Sequence, residues 1–367
     1  MDSTVFQKLL MSAIQKGASD VHLQTGHPPM LRINGELLEV KYHPLDPSET
    51  QAIAEEIIAH TYQKPDVATL SELDVSYGIE GQGRFRANIF RQRGSLGIVL
   101  RVIPITIQSF AELHLPPVLE QIANLRRGLV IVSGATGNGK STTLAAMVEF
   151  INQTRRAHVV TIEDPIEFLF RHKMSIVSQR ELGSDTPSYA SALQAVLRQD
   201  PDVILIGEMR ELETVEIALK AAETGHLVLA SLHTTDSVKS ISRLIGMFPP
   251  DQEASVRGRL ADALMAIVSL RLMPQKGVLG RIPAVEVLRV TRTIQECIRD
   301  PSKTSDIPEH MAKGAEMYGM QTFDLHLLQL VKEGKVELEA AKLASSNPAE
   351  LERAILLEGG DARRERL

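Results

Sequence analysis

Gly134-Ala135-Thr136-Gly137-Asn138-Gly139-Lys140-Ser141 reads G-x-x-x-x-G-K-S, the phosphate-binding loop of P-loop nucleotidases. The apolar run Leu129-Val130-Ile131-Val132 precedes it and reads as a buried strand, and Leu144, Met147, Val148 and Ile151 follow at helical spacing. That setting gives the motif its meaning. The glycines let backbone N–H groups close on phosphate oxygens, and the helix N-terminus adds partial positive charge. Gly134, Thr136, Gly137, Gly139, Lys140, Ser141 and Thr142 are therefore candidate nucleotide-binding residues. Lys140 is placed to reach the β- and γ-phosphates, and the Ser141 hydroxyl to hold Mg²⁺.

Outward from the loop, Val159–Ile162, Val203–Ile206 and Leu227–Ser231 read as further strands alternating with helices, an α/β core with a largely parallel sheet. Val203-Ile204-Leu205-Ile206-Gly207-Glu208 is an apolar strand ending in an acid, which puts Glu208 where a catalytic base is needed. Gly207 stands where such strands commonly carry Asp, so another carboxylate must help to hold Mg²⁺. Glu163, in Thr161-Ile162-Glu163-Asp164-Pro165-Ile166-Glu167, is the candidate: acids at the C-terminal end of a strand face the ligand crevice of an open α/β sheet. The other reading is a loop of solvated acids, with Asp164 ordering the turn. His233 lies at the C-terminal end of Leu227–Ser231, where a γ-phosphate can be sensed, and His226 at its start reads as support for the fold or a subunit contact. After residue 250 the chain reads as mainly helical with one strand at Ile282–Leu288, and 359–367 as a mobile tail.

Residues 1–103 have a different pattern. A helix over 5–16, strands at 19–23, 74–79, 84–90 and 96–103, a hairpin turning at Asn34-Gly35 and a helix over 48–60 make an α+β domain with a mostly antiparallel sheet. Residues 104–118, with Pro104, Pro116 and Pro117, read as a linker with a short helix, and 119–358 as the nucleotide-binding domain. Arg84, Arg86 and Arg101 lie on strands of the first domain, Arg84 and Arg86 on one face by the two-residue period. They are candidate γ-phosphate contacts; the same spacing is that of a solvated basic face.

Bulk properties set the outer limits. The 367 residues suit two domains, and 43% hydrophobic with 23% charged residues allows a full core. A net charge of −6 without a basic block does not suggest a nucleic-acid partner. One cysteine, Cys297, excludes an internal disulfide and a cysteine-rich zinc site. No apolar run approaches the roughly 18 residues that span a bilayer, and Met1-Asp2-Ser3-Thr4 does not open a signal peptide, so a cytoplasmic protein is expected.

The phosphate loop with Thr142-Thr143-Leu144-Ala145-Ala146, the Thr161–Glu167 acids, Gly207-Glu208-Met209-Arg210 and the Thr224–Thr235 histidine segment together resemble the secretion ATPase superfamily. Ala18-Ser19-Asp20-Val21-His22-Leu23 and Gly319-Met320-Gln321-Thr322-Phe323-Asp324 are similar to its type IV pilus retraction branch. The resemblance runs from about residue 3 to about residue 345. It implies a RecA-like core behind a flexibly joined PAS-like domain, assembled as a homo-hexamer, with ATP bound between the domains near a neighbouring subunit. Hydrolysis then rotates the domains and turns an inner-membrane pilus platform protein, so that pilin leaves the fibre. A cytoplasmic protein peripheral at the inner face of the membrane follows, with a second retraction ATPase as a further partner. By position, Lys140, Ser141, Glu163, Glu208, His233 and Arg84, Arg86 and Arg101 match the family's site residues. Assembly members carry a longer N-terminal region and a tetracysteine zinc site, and neither is seen here. One segment departs from the retraction pattern: where Ala-Ile-Arg-Asn-Leu-Ile-Arg is common, this chain has Thr293-Ile294-Gln295-Glu296-Cys297-Ile298-Arg299. An auxiliary retraction motor, or an assembly or type II secretion ATPase, stays open as the alternative. A small-molecule kinase and an ATP-switched binding module are the rivals outside the family.

Overall fold

In a computed structural model the described residues are 1–33, 35–59, 61, 64–79, 82–103, 106–278 and 280–364, with side chains described as far as 356. Contacts divide the chain into two units. The first holds Met1–Thr106, Ile162–Arg171 and Gln179–Ala192; the second holds Ile107–Thr161, His172–Ser178 and Leu193–Leu367.

The first unit begins with α1 (Ser3–Gln15), which Asp2 starts by accepting a hydrogen bond from the Val5 amide. Strands β1 (Asp20–Gln24), β2 (Met30–Ile33) and β3 (Glu36–Glu39) follow, then α2 (Pro47–Ala59) and strands β4 (Glu72–Ile79), β5 (Gly83–Gln92) and β6 (Ser95–Ile103). They form a six-stranded sheet in the order β3-β2-β1-β6-β5-β4, antiparallel at every pairing. The period-2 pattern of β5 buries Phe85, Ala87 and Ile89 among Phe6, Leu10, Ile53 and Ile57 from the two helices. The turn expected at Asn34-Gly35 includes Asn34, which lies outside the described residues.

The second unit carries α3 (Val118–Ala123), β7 (Gly128–Ser133), α4 (Lys140–Thr154), β8 (His158–Glu163) and β9 (Ile176–Glu181), the ends of the last two strands counting with the first unit. After α5 (Tyr189–Val196) come β10 (Val203–Ile206), α6 (Leu212–Glu223), β11 (Leu227–Leu232), α7 (Ser237–Ile245) and α8 (Glu253–Ala263). The sheet ends with β12 (Leu264–Pro274) and β13 (Arg281–Arg289), followed by α9 (Arg292–Arg299), α10 (Ile307–Lys313), α11 (Ala315–Tyr318), α12 (Phe323–Lys332), α13 (Leu338–Ala344) and α14 (Pro348–Arg364). The seven strands are ordered β13-β12-β7-β11-β10-β8-β9. β12, β7, β11 and β10 run parallel, while β13 returns antiparallel on β12. Every residue of β7, β10 and β11 is buried, as a strand covered on both faces requires. This is the α/β, RecA-like arrangement, with the phosphate loop at the C-terminal end of a central strand.

Several sequence expectations are corrected here. The region after 250 contains a second long strand, β12, in place of continuous helix. Its Leu- and Met-rich sequence follows α8 with no turn residue between, so only its pairing with β7 makes it a strand. β9 is also additional: four of its six residues are polar, which hides a strand at the sheet edge. Among the described residues 106–117 form no helix, and α3 begins at Val118. The backbone of α14 runs to Arg364, and 365–367 lie outside the described residues.

Candidate active site

The loop between β7 and α4 is built by close backbone approach. Ser133, the last residue of β7, is fully buried and donates its hydroxyl to Ser269 of β12 at 2.8 Å. The Gly134 amide donates to the Leu232 carbonyl at 3.3 Å, and a Cβ at Gly134 would stand 2.8 Å from the Leu270 carbonyl oxygen. Gly139 takes a left-handed conformation, φ +87°, to cap α4. Asn138 accepts from the Leu272 amide at 3.3 Å, and Arg281 donates to the Gly137 carbonyl at 3.4 Å. Thr136 and Gly137 are exposed at the tip, and Ser141 and Thr142 are half-buried in the first turn of α4. Lys140 is only 8% exposed, and its ammonium folds inward to the carbonyls of Gly134 (2.9 Å) and Ala135 (3.2 Å). The arrangement fits a phosphate chain: an open loop, an ammonium at its centre and a helix whose first N–H groups lack intrahelical acceptors.

The ends of β10 and β11 meet beside this loop. The Gly207 carbonyl accepts from the Ser231 hydroxyl at 2.5 Å and the Met209 amide donates to the Ser231 carbonyl at 3.2 Å, tying the end of β10 to β11. Glu208 follows, largely buried, with one carboxylate oxygen 2.7 Å from Arg210 and the other 3.2 Å from His233 Nε2. On its far side, His233 Nδ1 lies 3.5 Å from the Thr136 hydroxyl. Glu208, His233 and the tip of the phosphate loop thus form one polar chain. Burial pushes the Glu208 carboxyl up, but the hydrogen bond from Arg210 and the neighbouring His233 together hold it below the ordinary carboxylate value, so it is ionised at neutral pH. His226 points elsewhere: its Nδ1 is 3.0 Å from the Ala221 carbonyl, at the end of α6.

The remaining candidates lie in the first unit. Glu163, at the end of β8, is 9% exposed and accepts from the Gln179 amide group at 3.2 Å. The register of β5 on β6 sets Arg86 opposite Arg101, so with Arg84 all three arginines leave one face of that sheet. Each faces a carboxylate: Arg84 and Glu181 at 2.9 Å, Arg86 and Asp74 at 3.9 Å, Arg101 and Asp20 at 3.1 Å. Glu181 is 3% exposed and also accepts from the Ile166 amide at 2.9 Å. Among the described residues no group of three or more His, Cys, Asp or Glu is placed to hold a metal by itself. The contacts of Thr136 with His233, Asn138 with Leu272 and Arg281 with Gly137 were not foreseen, because each joins residues about a hundred positions or more apart.

A glycine-lined loop that folds a lysine ammonium into a phosphate cradle, beside an ionised acid at the next strand ends, defines a P-loop ATPase. The chain belongs to the Type II/IV secretion system protein family, whose profile matches residues 2–342. It is 40% identical over 341 residues to the type IV pilus retractation ATPase PilT of Pseudomonas aeruginosa, covering 93% of this chain and 98% of that protein. To the type IV pilus ATPase PilU of the same organism it is 41% identical, covering 92% of this chain and 87% of that protein. The crystal structure of the pilus retraction motor PilT with bound ADP superposes with a TM-score of 0.83 at 44% identity, over 94% of this chain and 98% of that one. Among the described residues no helix is long and apolar enough to cross a membrane.

Proposed function

We propose that this ATPase is the motor that powers type IV pilus retraction, acting as a Mg²⁺-dependent homo-hexamer on an inner-membrane platform protein. The observation that carries the chemistry is the Glu208 carboxylate, held ionised between Arg210 and His233 beside the phosphate loop. In this reading the loop amides and Lys140 hold the β- and γ-phosphates, exchanging the carbonyls of Gly134 and Ala135 for phosphate oxygens. Glu208 orients a water for attack on the γ-phosphorus, the bond to ADP breaks, and His233 senses the γ-phosphate beside Thr136. Ser141 and, through water, Glu163 would hold Mg²⁺, which when bound neutralises charge on the β- and γ-oxygens. Arg84, Arg86 and Arg101 belong to the proposal as candidate γ-phosphate contacts.

The pilus assignment rests on near full-length similarity to retraction ATPases, and a place at the inner face of the cytoplasmic membrane belongs to the same proposal. A second reading, an auxiliary motor beside a second retraction ATPase, is favoured by equal similarity to PilU and by α9. In α9, Ile294, Cys297 and Ile298 are buried, whereas the departures Gln295 and Glu296 lie on the half-buried and exposed side. Deleting the gene and counting surface pili tests both readings. Excess pili with lost twitching supports the main motor, a defect only under load supports the auxiliary one, and bald cells would turn the assignment to assembly.

A further inference from the structure

Among the described residues the second unit also buries the carboxylates of Glu149 and Glu286, and the catalytic reading uses neither. Glu286, in the middle of β13, is 9% exposed. One of its oxygens accepts two hydrogen bonds of 2.8 Å, from the backbone amide and from the hydroxyl of Ser237, the first residue of α7. In the sheet register Glu286 stands opposite Ser269, and Ser269 opposite Ser133. Ser133 and Ser269 are bonded to each other, both fully buried. A polar rung therefore crosses β7, β12 and β13 one residue below the phosphate loop and ends on the start of α7.

His233 lies between these fixed points. It leaves β11 directly after Leu232, whose carbonyl holds the Gly134 amide, and only Thr234, Thr235 and Asp236 separate it from Ser237. That span is short and tied at both ends. Thr234 meets Ser240 at 2.6 Å, and Asp236 caps α7 through the Lys239 amide at 2.8 Å. The span gives a shift of Ser237 a short covalent path to the imidazole, which touches Glu208 on one side and Thr136 on the other. An apolar side chain at 286 would fill a sheet position at less desolvation cost than a carboxylate does, but it would leave the α7 start without its acceptor.

We propose that Glu286 is a positioning residue for ATP hydrolysis: by holding Ser237 it fixes the bearing of His233 on Glu208. This inference rests on the role given to His233 above. Steady-state ATPase measurements on the full chain test it. Glu286→Ala should lower kcat about tenfold with KM for ATP within about twofold, and Glu286→Gln, which keeps an oxygen acceptor, should recover most of the loss. The double variant Glu286→Ala/His233→Ala should be no slower than His233→Ala alone, because residues acting through one another do not contribute additively. If Glu286→Ala fails to fold, Ser237→Ala carries the test: it removes only the hydroxyl donor and should cost about threefold in kcat, a loss that vanishes in the His233→Ala background. Independent, multiplying losses would overturn the proposal. So would a parental kcat for Glu286→Ala or, where that variant does not fold, for Ser237→Ala, beside a slow His233→Ala; in that case the role of His233 still stands. A parental kcat for His233→Ala would instead remove the role of His233, and the proposal with it.

Discussion

Glu208 and Lys140 divide the chemistry at the scale of single residues, and their variants should fail differently. Glu208→Gln keeps shape and loses the charge held by Arg210 and His233. It should bind ATP as the parent does and lose about 10²-fold or more in kcat, read as phosphate release against nucleotide binding by fluorescence. Equal turnover would remove Glu208 from its role. Lys140→Ala empties the centre of the loop and should weaken both nucleotide binding and turnover, visible as a raised Kd for a fluorescent ATP analogue. The residues of the loop were legible because their neighbours in space are their neighbours in sequence. Thr136 beside His233, and Glu286 beneath Ser237, were not: those contacts exist only because β7, β11, β12 and β13 are laid side by side.

Two elements carry predictions of their own. The start of α4 depends on Gly139 at φ +87°, a conformation that costs a residue with a Cβ about 1–2 kcal/mol. Gly139→Ala should lower the unfolding temperature and raise KM for ATP together; a change in neither would mean the cap is dispensable. On α12, His326 is packed against β13, where its Nδ1 accepts from the Val285 amide at 2.9 Å. Burial pulls its pKa down from 6.5 to about 4. The folded state thus resists the proton that the unfolded chain takes up, so stability is lost as pH falls below 6.5 and the loss stops near 4. Between pH 7 and 5 the parent should lose about 2 kcal/mol relative to His326→Gln in urea titrations, and parallel behaviour of the two would refute the assignment. β7, β10 and β11 were readable as apolar runs. β12 and β9 were not, since one has the composition of a helix and the other that of a polar loop, and only pairing in the sheet decides them.

For the whole molecule, the proposed ring is checked by light scattering with and without ATP: a hexamer is expected, and a monomer under both conditions would sink a motor built from shared sites. Sequence alone determined the class of this protein. A contiguous loop of eight residues between a strand and a helix specifies phosphate binding through local backbone geometry, and the strand-end acids announce what is done with it. The tertiary structure alone decided which side chains complete the site. The link from Glu208 through His233 to Thr136 and the rung from Ser133 to Glu286 each depend on strands distant in the chain but adjacent in the sheet. Their order follows from burying apolar surface on both faces, which no local pattern spells out.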